Sequence, residues 1–431
     1  MRVLVLGGGG REHAIAWRLH HSPSVREVVV APGNPGCEQI ATCIRPPSTK
    51  PGDLLALANR VEPDLTIVGP EAPLVDGVVD LLRANGRLIF GPTQAAARLE
   101  GSKIFAKDFM LRHRIPTARY AVASTEEEAL TALHSFSYPI VLKADGLAAG
   151  KGVVICPDRP IAISVLHDML SGSLVGSAGR RLVVEEFLSG EEVSFIGLCD
   201  GESVLPLEPS QDHKTIYEDD KGPNTGGMGA YSDSRLLSPA DRESIVRTVM
   251  QPVLDGMRAE GSPFVGFLYA GLMLTTEGPK VLEFNVRLGD PETQALLHRL
   301  DCDFGELVHA AASGRQDPRL LKFRTDPSIC VVLAARGYPG TVRTGDPISG
   351  LEDAAATGAT VFHAGTREAK PGTQPGSSGV ETAGGRVLGV THSGATLQQA
   401  IANVYAACDK IHFDGMQIRR DIGRKGLTRW Q

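Results

Sequence analysis

No pair of cysteines in this sequence of 431 residues has C-x-x-C spacing, and no two histidines form an H-E-x-x-H motif. The seven cysteines are odd in number and scattered along the chain. These absences exclude a zinc ribbon and a secreted disulfide framework. They predict a protein that works in a reducing cytoplasm.

The sequence also lacks any apolar run of about 18 residues, so we expect no membrane span. The apolar segment after Met1 and Arg2 is too short for a signal peptide. A net charge of -6 argues against a general nucleic-acid binder. With 42% hydrophobic and 22% charged residues, the composition is that of a globular protein with room for two to four domains.

A dinucleotide fingerprint is missing although GGGG (7–10) follows the apolar run VLVL. A G-x-G-x-x-G register from Gly7 needs glycine at position 12, where Glu12 stands, and no acidic residue ends the second strand. A simple anion-binding turn at a helix N-terminus is favoured. A dinucleotide site and a merely tight turn remain open.

A Walker loop is missing as well. LKADGLAAGKGVVI (142–155) is one spacer short between Gly146 and Gly150, has Gly152 in place of Ser or Thr, and is followed by a strand. Such a turn between strands can close over phosphates with its N–H groups, beside the ammonium group of Lys143. A flexible hairpin is the alternative. GPNTGGMGAYS (222–232) is a third glycine-rich loop, either a ligand contact or a disordered loop.

Alternating strands and helices predict a doubly wound parallel α/β unit over the first hundred residues, with ligands at the carboxyl ends of its strands. Its strands are 3–6, 27–30, 65–68 and 87–90, and its helices are 11–21, 73–85 and 93–101. A mixed segment to about 190, a β-rich segment to about 325 and a last part containing a Pro/Gly/Ser-rich loop (370–379) follow.

The segment VLEFNVRLGDPETQ (281–294) predicts a strand with Glu283, Asn285 and Arg287 on one face. Oxygen ligands two residues apart suit Mg²⁺, which takes one or two protein oxygens and completes its shell with phosphate and water. Arg287 can clamp a transferring phosphoryl group. A half-solvated strand with a polar edge is the alternative in isolation. Glu185 and Glu192 flank a short link between two strands. They are interpreted either as ligands of an adenine and its ribose or as surface charges.

Taken together, these motifs resemble the phosphoribosylamine–glycine ligase (glycinamide ribonucleotide synthetase) family of the ATP-grasp superfamily. The likeness runs through GGGGREHA, GPEAPLVDG, LEGSK, KADGLAAGKGV, EEFLSGEEVSF, SQDHK, GPNTGGMGAY, GFLYAGLML, EFNVRLGDPETQ, GYPG and DIG, and so covers nearly the whole chain. RLGDPETQ and GPNTGGMGAY are specific to this ligase within the superfamily.

The resemblance implies an N-terminal α/β substrate domain (1–101), an ATP-grasp domain of two α+β subdomains (102–324, with a lid at about 120–190) and a small C-terminal α+β domain (325–431). It implies a cytoplasmic monomer or weak homodimer of purine biosynthesis. The reaction joins glycine to 5-phosphoribosylamine through glycyl phosphate, with ATP and Mg²⁺ or Mn²⁺ as cofactors. The absence of a convincing Ser-His-Asp or Cys-His constellation fits phosphoryl transfer, which needs positioning more than a nucleophile.

The family pattern also assigns residues to roles. Those expected to bind ATP are Lys103, Lys143, Gly146, Gly150, Gly152, Glu185, Phe187, Leu188 and Glu192. Those expected to bind the metal are Glu283 and Asn285. Arg287, Lys214, Asp212 and Asp290 are expected to act in catalysis. Gly9, Asn34, Glu71, Asn224, Thr225, Gly226 and Gly227 are expected to hold glycine and the sugar phosphate.

Two departures from the family pattern are visible. Thr215 stands where an arginine usually follows DHK, and Met273 stands where many ATP-grasp enzymes carry a carboxylate. Thr215 puts the affinity of that loop for phosphate in doubt. Met273 puts the binding of a tightly held second metal in doubt. The alternatives are a biotin carboxylase-like or purine-pathway carboxylase, an NAD-dependent oxidoreductase, and a catalytically silent nucleotide-binding regulator.

Overall fold

A computed structural model describes residues 1–147, 152–172, 181–369 and 379–428 of the chain. The first unit is a parallel five-stranded sheet in the order β3-β2-β1-β4-β5, with helices on its faces. Its strands are β1 (Arg2–Gly7), β2 (Glu27–Pro32), β3 (Thr42–Cys43), β4 (Leu65–Val68) and β5 (Ile89–Phe90). Its helices are α1 (Gly10–His20), α2 (Pro51–Val61), α3 (Glu71–Val75), α4 (Val78–Ala84) and α5 (Gln94–Gly101).

The predicted single helix over 73–85 is wrong, because the chain forms α3 and α4 with a break between them. Gly77 lies at the break with a φ of +86°, a conformation that glycine adopts without a steric cost. Strand β3 and helix α2 had not been predicted.

After helix α6 (Lys103–Arg112), the lid is a four-stranded antiparallel sheet in the order β6-β9-β7-β8, covered by two helices. The described lid elements are β6 (Tyr120–Ala123), α7 (Glu126–Leu133), β7 (Ile140–Ala144), β8 (Val153–Cys156), α8 (Arg159–Leu170) and β9 (Leu182–Glu186).

A large antiparallel sheet joins the central and C-terminal parts of the chain. Its main path is β17-β16-β10-β12-β15-β18-β22-β19, and β11 pairs with β10. Its strands are β10 (Glu191–Asp200), β11 (Val204–Pro206), β12 (Ser210–Asp212), β15 (Gly229–Ser232), β16 (Val265–Thr275), β17 (Gly278–Asn285), β18 (Ser328–Ala334), β19 (Thr360–His363) and β22 (Arg386–Ser393). Two hairpins pair β13 (Thr215–Tyr217) with β14 (Lys221–Asn224) and β20 (Thr366–Glu368) with β21 (Val380–Thr382). The accompanying helices are α9 (Pro239–Ile245), α10 (Gln251–Ala259), α11 (Glu292–Arg299), α12 (Phe304–Ala312), α13 (Leu351–Ala356), α14 (Leu397–Cys408) and α15 (Arg424–Thr428).

The predicted fold class is confirmed: a doubly wound parallel unit precedes a central pair of α+β units and a C-terminal α+β unit. The backbone of β15 pairs with β18 from Gly229 opposite Val331 to Ser232 opposite Ser328, so the sheet crosses the domain boundary expected near 325. That boundary stays a prediction. Most of the loop 370–379 lies outside the described residues. None of the described helices has the length and apolar character that crossing a bilayer requires.

Buried histidines lie where the first unit packs on the C-terminal part. His13 Nδ1 accepts a hydrogen bond from the backbone N–H of His363 at 2.8 Å. The imidazole of His298 stacks on Trp17 and lies 2.8 Å from the hydroxyl of Ser393. Burial lowers the pKa of His13 to about 3 and the pKa values of His298 and His363 to about 4. All three rings are therefore neutral at pH 7.

We expect this contact to weaken in acid. Because the folded-state pKa values lie below 6.5, the ordinary pKa of histidine in an unfolded chain, the unfolded chain binds more protons than the folded chain as the pH falls through that value. Each histidine then removes up to about 2 kcal/mol from the free energy of unfolding at pH 5. Urea unfolding at pH 7.5 and pH 5.0 measures the difference.

The variant His13→Asn keeps an acceptor oxygen and cannot be protonated in this range. It should lose less stability than the wild type between the two pH values. An equal loss in both proteins would show that His13 does not titrate on unfolding as described.

Candidate active site

A cavity of about 940 Å³ lies where all parts of the chain meet. Its wall includes Arg11 and Glu71 from the first unit, Lys143 from the lid, Glu283 from the large sheet and Arg386 from the C-terminal part. The volume is near the upper end of the range for small-molecule sites, which suits a nucleotide together with a second substrate.

A β-bulge decides which side chains of β17 enter this cavity. Gly271 of β16 pairs with Glu283 and Leu272 pairs with Val281, so Leu282 is the extra residue. Val281 and Phe284 consequently join the same hydrophobic core although they are three residues apart. Glu283 and Asn285 line the cavity, and the carbonyl of Leu282 accepts a hydrogen bond from Lys143 Nζ at 2.8 Å.

Glu283 is a partly buried carboxylate that remains ionised. Burial acts to raise its pKa, but the ammonium groups of Lys214, Lys103 and Lys143 outweigh it and lower the pKa to about 2. Within the described residues it forms no ion pair within 4.0 Å, so its oxygens are available to a ligand.

These two oxygen donors fit a divalent cation that is held together with a phosphate. The described residues contain no group of three or more His, Cys, Asp or Glu that could hold a metal alone. Mg²⁺ usually keeps water and substrate phosphate oxygens beside one or two protein ligands, and Glu283 with Asn285 matches that donor set. Met273 lines the cavity nearby and supplies no second carboxylate.

Arg287 lies beyond the end of β17 rather than on the strand. Its guanidinium contacts Asn285 Oδ1 at 3.1 Å, Glu71 at 3.3 Å and Glu100 at 2.8 Å. Burial acts to lower its pKa, but Glu100 and Glu71 outweigh it and raise the pKa above its usual value. Glu100, which was not predicted, also accepts the backbone N–H of Val286 at 2.8 Å. The arginine therefore joins the metal-site strand to the first unit.

Glu185 binds two lysines at the lid side of the cavity. Its Oε2 lies 3.0 Å from Lys143 Nζ and 3.0 Å from Lys107 Nζ, and its Oε1 is buried without a hydrogen-bond partner among the described residues. Burial lowers the pKa of Lys107 to about 8. Lys107 was not predicted, although it follows Lys103 by four residues on α6 and so lies on the same helix face.

Most of the other residues expected to bind ATP line the same cavity as Glu185 and its two lysines. Lys103, Gly146, Gly152, Phe187, Leu188 and Glu192 all line the cavity. Gly150 lies outside the described residues. Glu192 forms an ion pair with Lys214, which connects the expected ATP side to the expected substrate side.

Asp212 and Lys214 lie on the side of the cavity away from the lid. Burial and the neighbouring carboxylate of Glu292 raise the pKa of Asp212 well above its usual value. Burial acts to lower the pKa of Lys214, but Glu192 and Glu283 outweigh it and raise the pKa. Lys214 is therefore a cation that links the carboxylates of both sides.

Asn224, Thr225 and Gly226 line the cavity, with Asn224 exposed, whereas Gly227 is buried behind them and does not line it. Thr225 Oγ1 donates to the carbonyl of Lys214 at 2.8 Å and accepts the N–H of Gly227 at 2.9 Å. Gly227 has a φ of +109°, and a Cβ there would lie 2.8 Å from Asp212 Oδ1. This position consequently requires glycine.

Asp290 is held by two residues that were not predicted. Its Oδ1 accepts a hydrogen bond from Gln294 at 2.8 Å, and its Oδ2 lies 3.2 Å from a guanidinium nitrogen of Arg386. Burial acts to raise its pKa, but Arg386 and Arg11 outweigh it and lower the pKa. No sequence motif marked Arg386, because the strand that carries it resembles any other buried strand.

The side chain of Glu12 fills the space inside the glycine turn (7–10) of the first unit. Glu12 accepts the N–H of Gly9 at 2.6 Å, and a Cβ on Gly7 or Gly69 would lie within 2.4 Å of the Glu12 side chain. The glycines therefore make room for Glu12. This removes the space that a dinucleotide would use.

The three residues expected to hold the sugar phosphate are placed differently. Glu71 lines the cavity, whereas Gly9 and Asn34 do not. The amide of Asn34 is 6% exposed, donates to the carbonyls of Gly8 and His363 and accepts two backbone N–H groups. Its side chain thus holds the loop in shape.

Thr215 lines the cavity where an arginine was expected from the family pattern. The guanidinium of Arg419, from the C-terminal part, donates to the carbonyl and the hydroxyl of Thr215 at 3.1 and 3.0 Å. Arg419 is fully buried and also pairs with Asp421, so it fixes the hairpin without reaching the cavity.

The chain matches family models over almost its whole length. These are the phosphoribosylglycinamide synthetase N domain at residues 1–100, the ATP-grasp (A) domain at 101–293 and the C domain at 328–425. A similar protein of Xylella fastidiosa, called phosphoribosylamine–glycine ligase, is 49% identical over 432 residues, covering 100% of this chain and 97% of that protein. The protein of the same name from Escherichia coli K12 is 49% identical over 438 residues, covering 100% of both.

Solved structures agree with these sequence matches. The phosphoribosylamine–glycine ligase of Thermotoga maritima has a TM-score of 0.85 and 35% identity, covering 98% of this chain and 100% of that chain. A biotin carboxylase domain of Hydrogenobacter thermophilus has a TM-score of 0.71 at 18% identity, covering 97% of this chain and 91% of that chain, which is a likeness of fold alone. The matched models and the relatives of half-identical sequence show that the chain belongs to the phosphoribosylglycinamide synthetase (phosphoribosylamine–glycine ligase) family of ATP-grasp proteins.

Proposed function

We propose that the protein joins glycine to 5-phosphoribosylamine with ATP, giving glycinamide ribonucleotide, ADP and phosphate in purine biosynthesis. The observation that carries the proposal is the ionised Glu283 beside Asn285, surrounded by Lys103, Lys143 and Lys214. A carboxylate kept charged among lysines suits a site for a metal and a polyphosphate.

On the nucleotide side, Lys103 and Lys143 bind the phosphates, with Gly146 and Gly152 in the same cavity wall. Glu185 and the backbone of Phe187 and Leu188 hold adenine, and Glu192 the ribose. The unpartnered Oε1 of Glu185 is a buried acceptor suited to an amino group. Glu283 and Asn285 hold Mg²⁺ or Mn²⁺, which supplies neutralisation of the phosphate charge.

On the substrate side, Asp212, Lys214, Asp290 and the loop 224–227 surround glycine and phosphoribosylamine. The glycine carboxylate attacks the γ-phosphorus, the bond from phosphorus to the β,γ-bridging oxygen breaks, and ADP leaves, giving glycyl phosphate. Arg287 stabilises the charge that develops. The amine of phosphoribosylamine then attacks the acyl carbon, and phosphate leaves. Of the residues expected at the sugar phosphate, Glu71 lies in the cavity wall, whereas Gly9 and Asn34 lie outside it.

We also propose that the chain divides into the domains 1–101, 102–324 and 325–431. The protein is proposed to be cytoplasmic and to be a monomer or a weak homodimer. The neighbouring biotin carboxylases share its fold, so a carboxylase is the second candidate. Identity of about half over the full length with the ligases favours the ligase. The oxidoreductase alternative lacks support because Glu12 fills the glycine turn.

We expect ADP release from ATP and Mg²⁺ to require both glycine and phosphoribosylamine, the latter formed in place from ribose 5-phosphate and ammonia. Coupled ADP detection, with identification of the product by mass, measures this. ADP that depends on bicarbonate would identify a carboxylase. Bound ATP without ADP under any condition would identify a silent regulator.

The variant Glu283→Gln should remain folded and lose about 10²–10³ in kcat, because it removes a charge that acts on the phosphates. It should also weaken the effect of Mg²⁺ on ATP affinity, measured by calorimetry with and without the metal. Glu277→Gln, an exposed residue at the turn of the same hairpin, is the matched control. Unchanged metal dependence in Glu283→Gln would contradict the metal assignment.

The variant Glu185→Gln should raise the KM for ATP about tenfold or more, since a neutral amide cannot balance Lys107 and Lys143 and a hydrogen bond to a charged group is lost. The KM for glycine should stay within about twofold, because Glu185 touches neither Asp212 nor the loop 224–227. Glu127→Gln, on the exposed face of α7, is the control. Steady-state kinetics at matched thermal stability decides, and an unchanged KM for ATP would remove Glu185 from the nucleotide site.

A further inference from the structure

The C-terminal part of the chain contributes Tyr338 and Arg386 to the wall of the cavity. Arg386 is the first residue of β22, at the end of the strand where β22 leaves its pairing with β18. The large sheet thus carries its side chain from the C-terminal part to the substrate side of the cavity.

The guanidinium of Arg386 joins two loops that are distant in sequence. One nitrogen donates to the carbonyl of Asp290 at 2.6 Å and to the carbonyl of Gly226. The other lies 3.2 Å from Asp290 Oδ2. A planar guanidinium has five donors in fixed directions and so holds three acceptors in a set geometry, whereas the three donors of a lysine ammonium group rotate about a single nitrogen.

Gly226 fits this guanidinium closely. A Cβ on Gly226 would lie 3.1 Å from Arg386 Cζ and 3.3 Å from each terminal nitrogen. The backbone N–H of Gly226 donates to the hydroxyl of Tyr338 at 2.9 Å, so both polar groups of this peptide region are held by the C-terminal part. The next residue, Gly227, packs against Asp212 and Pro291.

We propose that Arg386 is a positioning residue for glycine, holding the backbone of Gly226 and the side chain of Asp290 where they form the glycine pocket. The inference rests on the proposed function and adds the C-terminal part of the chain to the substrate site. Arg386 acts through Gly226 and Asp290, and it takes no part in ATP binding, because its contacts lie away from Glu185 and Lys143.

The charges around Asp290 support this role. The cations that face Asp290 are Arg386, Arg11 and Arg287, and Gln294 donates a hydrogen bond to it as a neutral group. Asp212 and Glu292 are two of the carboxylates that share the cavity wall with it. Arg386 contributes first among the cations that lower the pKa of Asp290. Its removal leaves Asp290 less firmly held as an anion.

The test compares Arg386→Gln and Arg386→Lys with the wild type by steady-state kinetics. Arg386→Gln should raise the KM for glycine at least about tenfold, the size expected from losing a charged hydrogen bond. Arg386→Lys should fall between Arg386→Gln and the wild type, and the KM for ATP should change less than about twofold in both. Arg367→Gln, which breaks an ion pair with Glu381 in the same part of the chain, is the control.

A second variant tests the contact from the other side. Gly226→Ala adds a methyl group that displaces the guanidinium, so it should also raise the KM for glycine. The double variant Gly226→Ala/Arg386→Gln should be no worse than Arg386→Gln alone, because both changes remove the same contact. Additive effects would overturn the proposed linkage.

An unchanged KM for glycine in both Arg386→Gln and Gly226→Ala, with an active wild type, would overturn the role of Arg386. A wild type that forms no glycinamide ribonucleotide would instead overturn the proposed function. The two failures are therefore distinguished by the wild-type assay.

Discussion

The pairing of buried carboxylates with lysine and arginine side chains is the interaction on which the cavity depends. Glu185 holds Lys107 and Lys143, Arg287 is held between Glu71 and Glu100, and Asp290 is paired with Arg386. For the buried set of Glu185, Lys107 and Lys143, removing one partner typically costs about 3–5 kcal/mol, because the remaining charge has little water to stabilise it. Glu283 differs from the others, since its neighbouring cations lower its pKa while its own oxygens stay available.

These pairs also assemble the site from separate parts of the chain. Arg287 follows β17 of the large sheet but binds two carboxylates of the first unit. These are Glu71 of α3 and Glu100 of α5, the last helix of that unit. Arg386 belongs to the C-terminal part but binds the turn that follows Arg287 in sequence. The continuous sheet from β17 to β19 fixes the distance between these two arginines. A structural change in any one of these parts therefore alters the positions of residues on the substrate side of the cavity.

The sequence was sufficient to predict four strands of the parallel unit, three of the four lid strands and the face that carries Glu283 and Asn285, because each follows from local alternation and glycine placement. Strands β3 and β6 and helix α2 were missed. It was not sufficient for the bulge at Leu282, which depends on pairing with Gly271. Nor did it indicate Arg386 or Glu100, since their partners are 96 and 186 residues distant and a lone charge in an apolar segment has no local signature. Glu12 had been used only to exclude a dinucleotide, and the space it fills beside Gly69 required the folded chain.

In the proposed reaction, this arrangement activates the carboxylate of glycine by phosphorylation. Turnover of glycine labelled with ¹⁸O in both carboxylate oxygens tests it most directly, with mass analysis of the phosphate and the product. We expect one ¹⁸O atom in the released phosphate and one in the amide carbonyl of glycinamide ribonucleotide. Phosphate without ¹⁸O would contradict it, because ATP would then have been cleaved without passing its phosphoryl group to glycine.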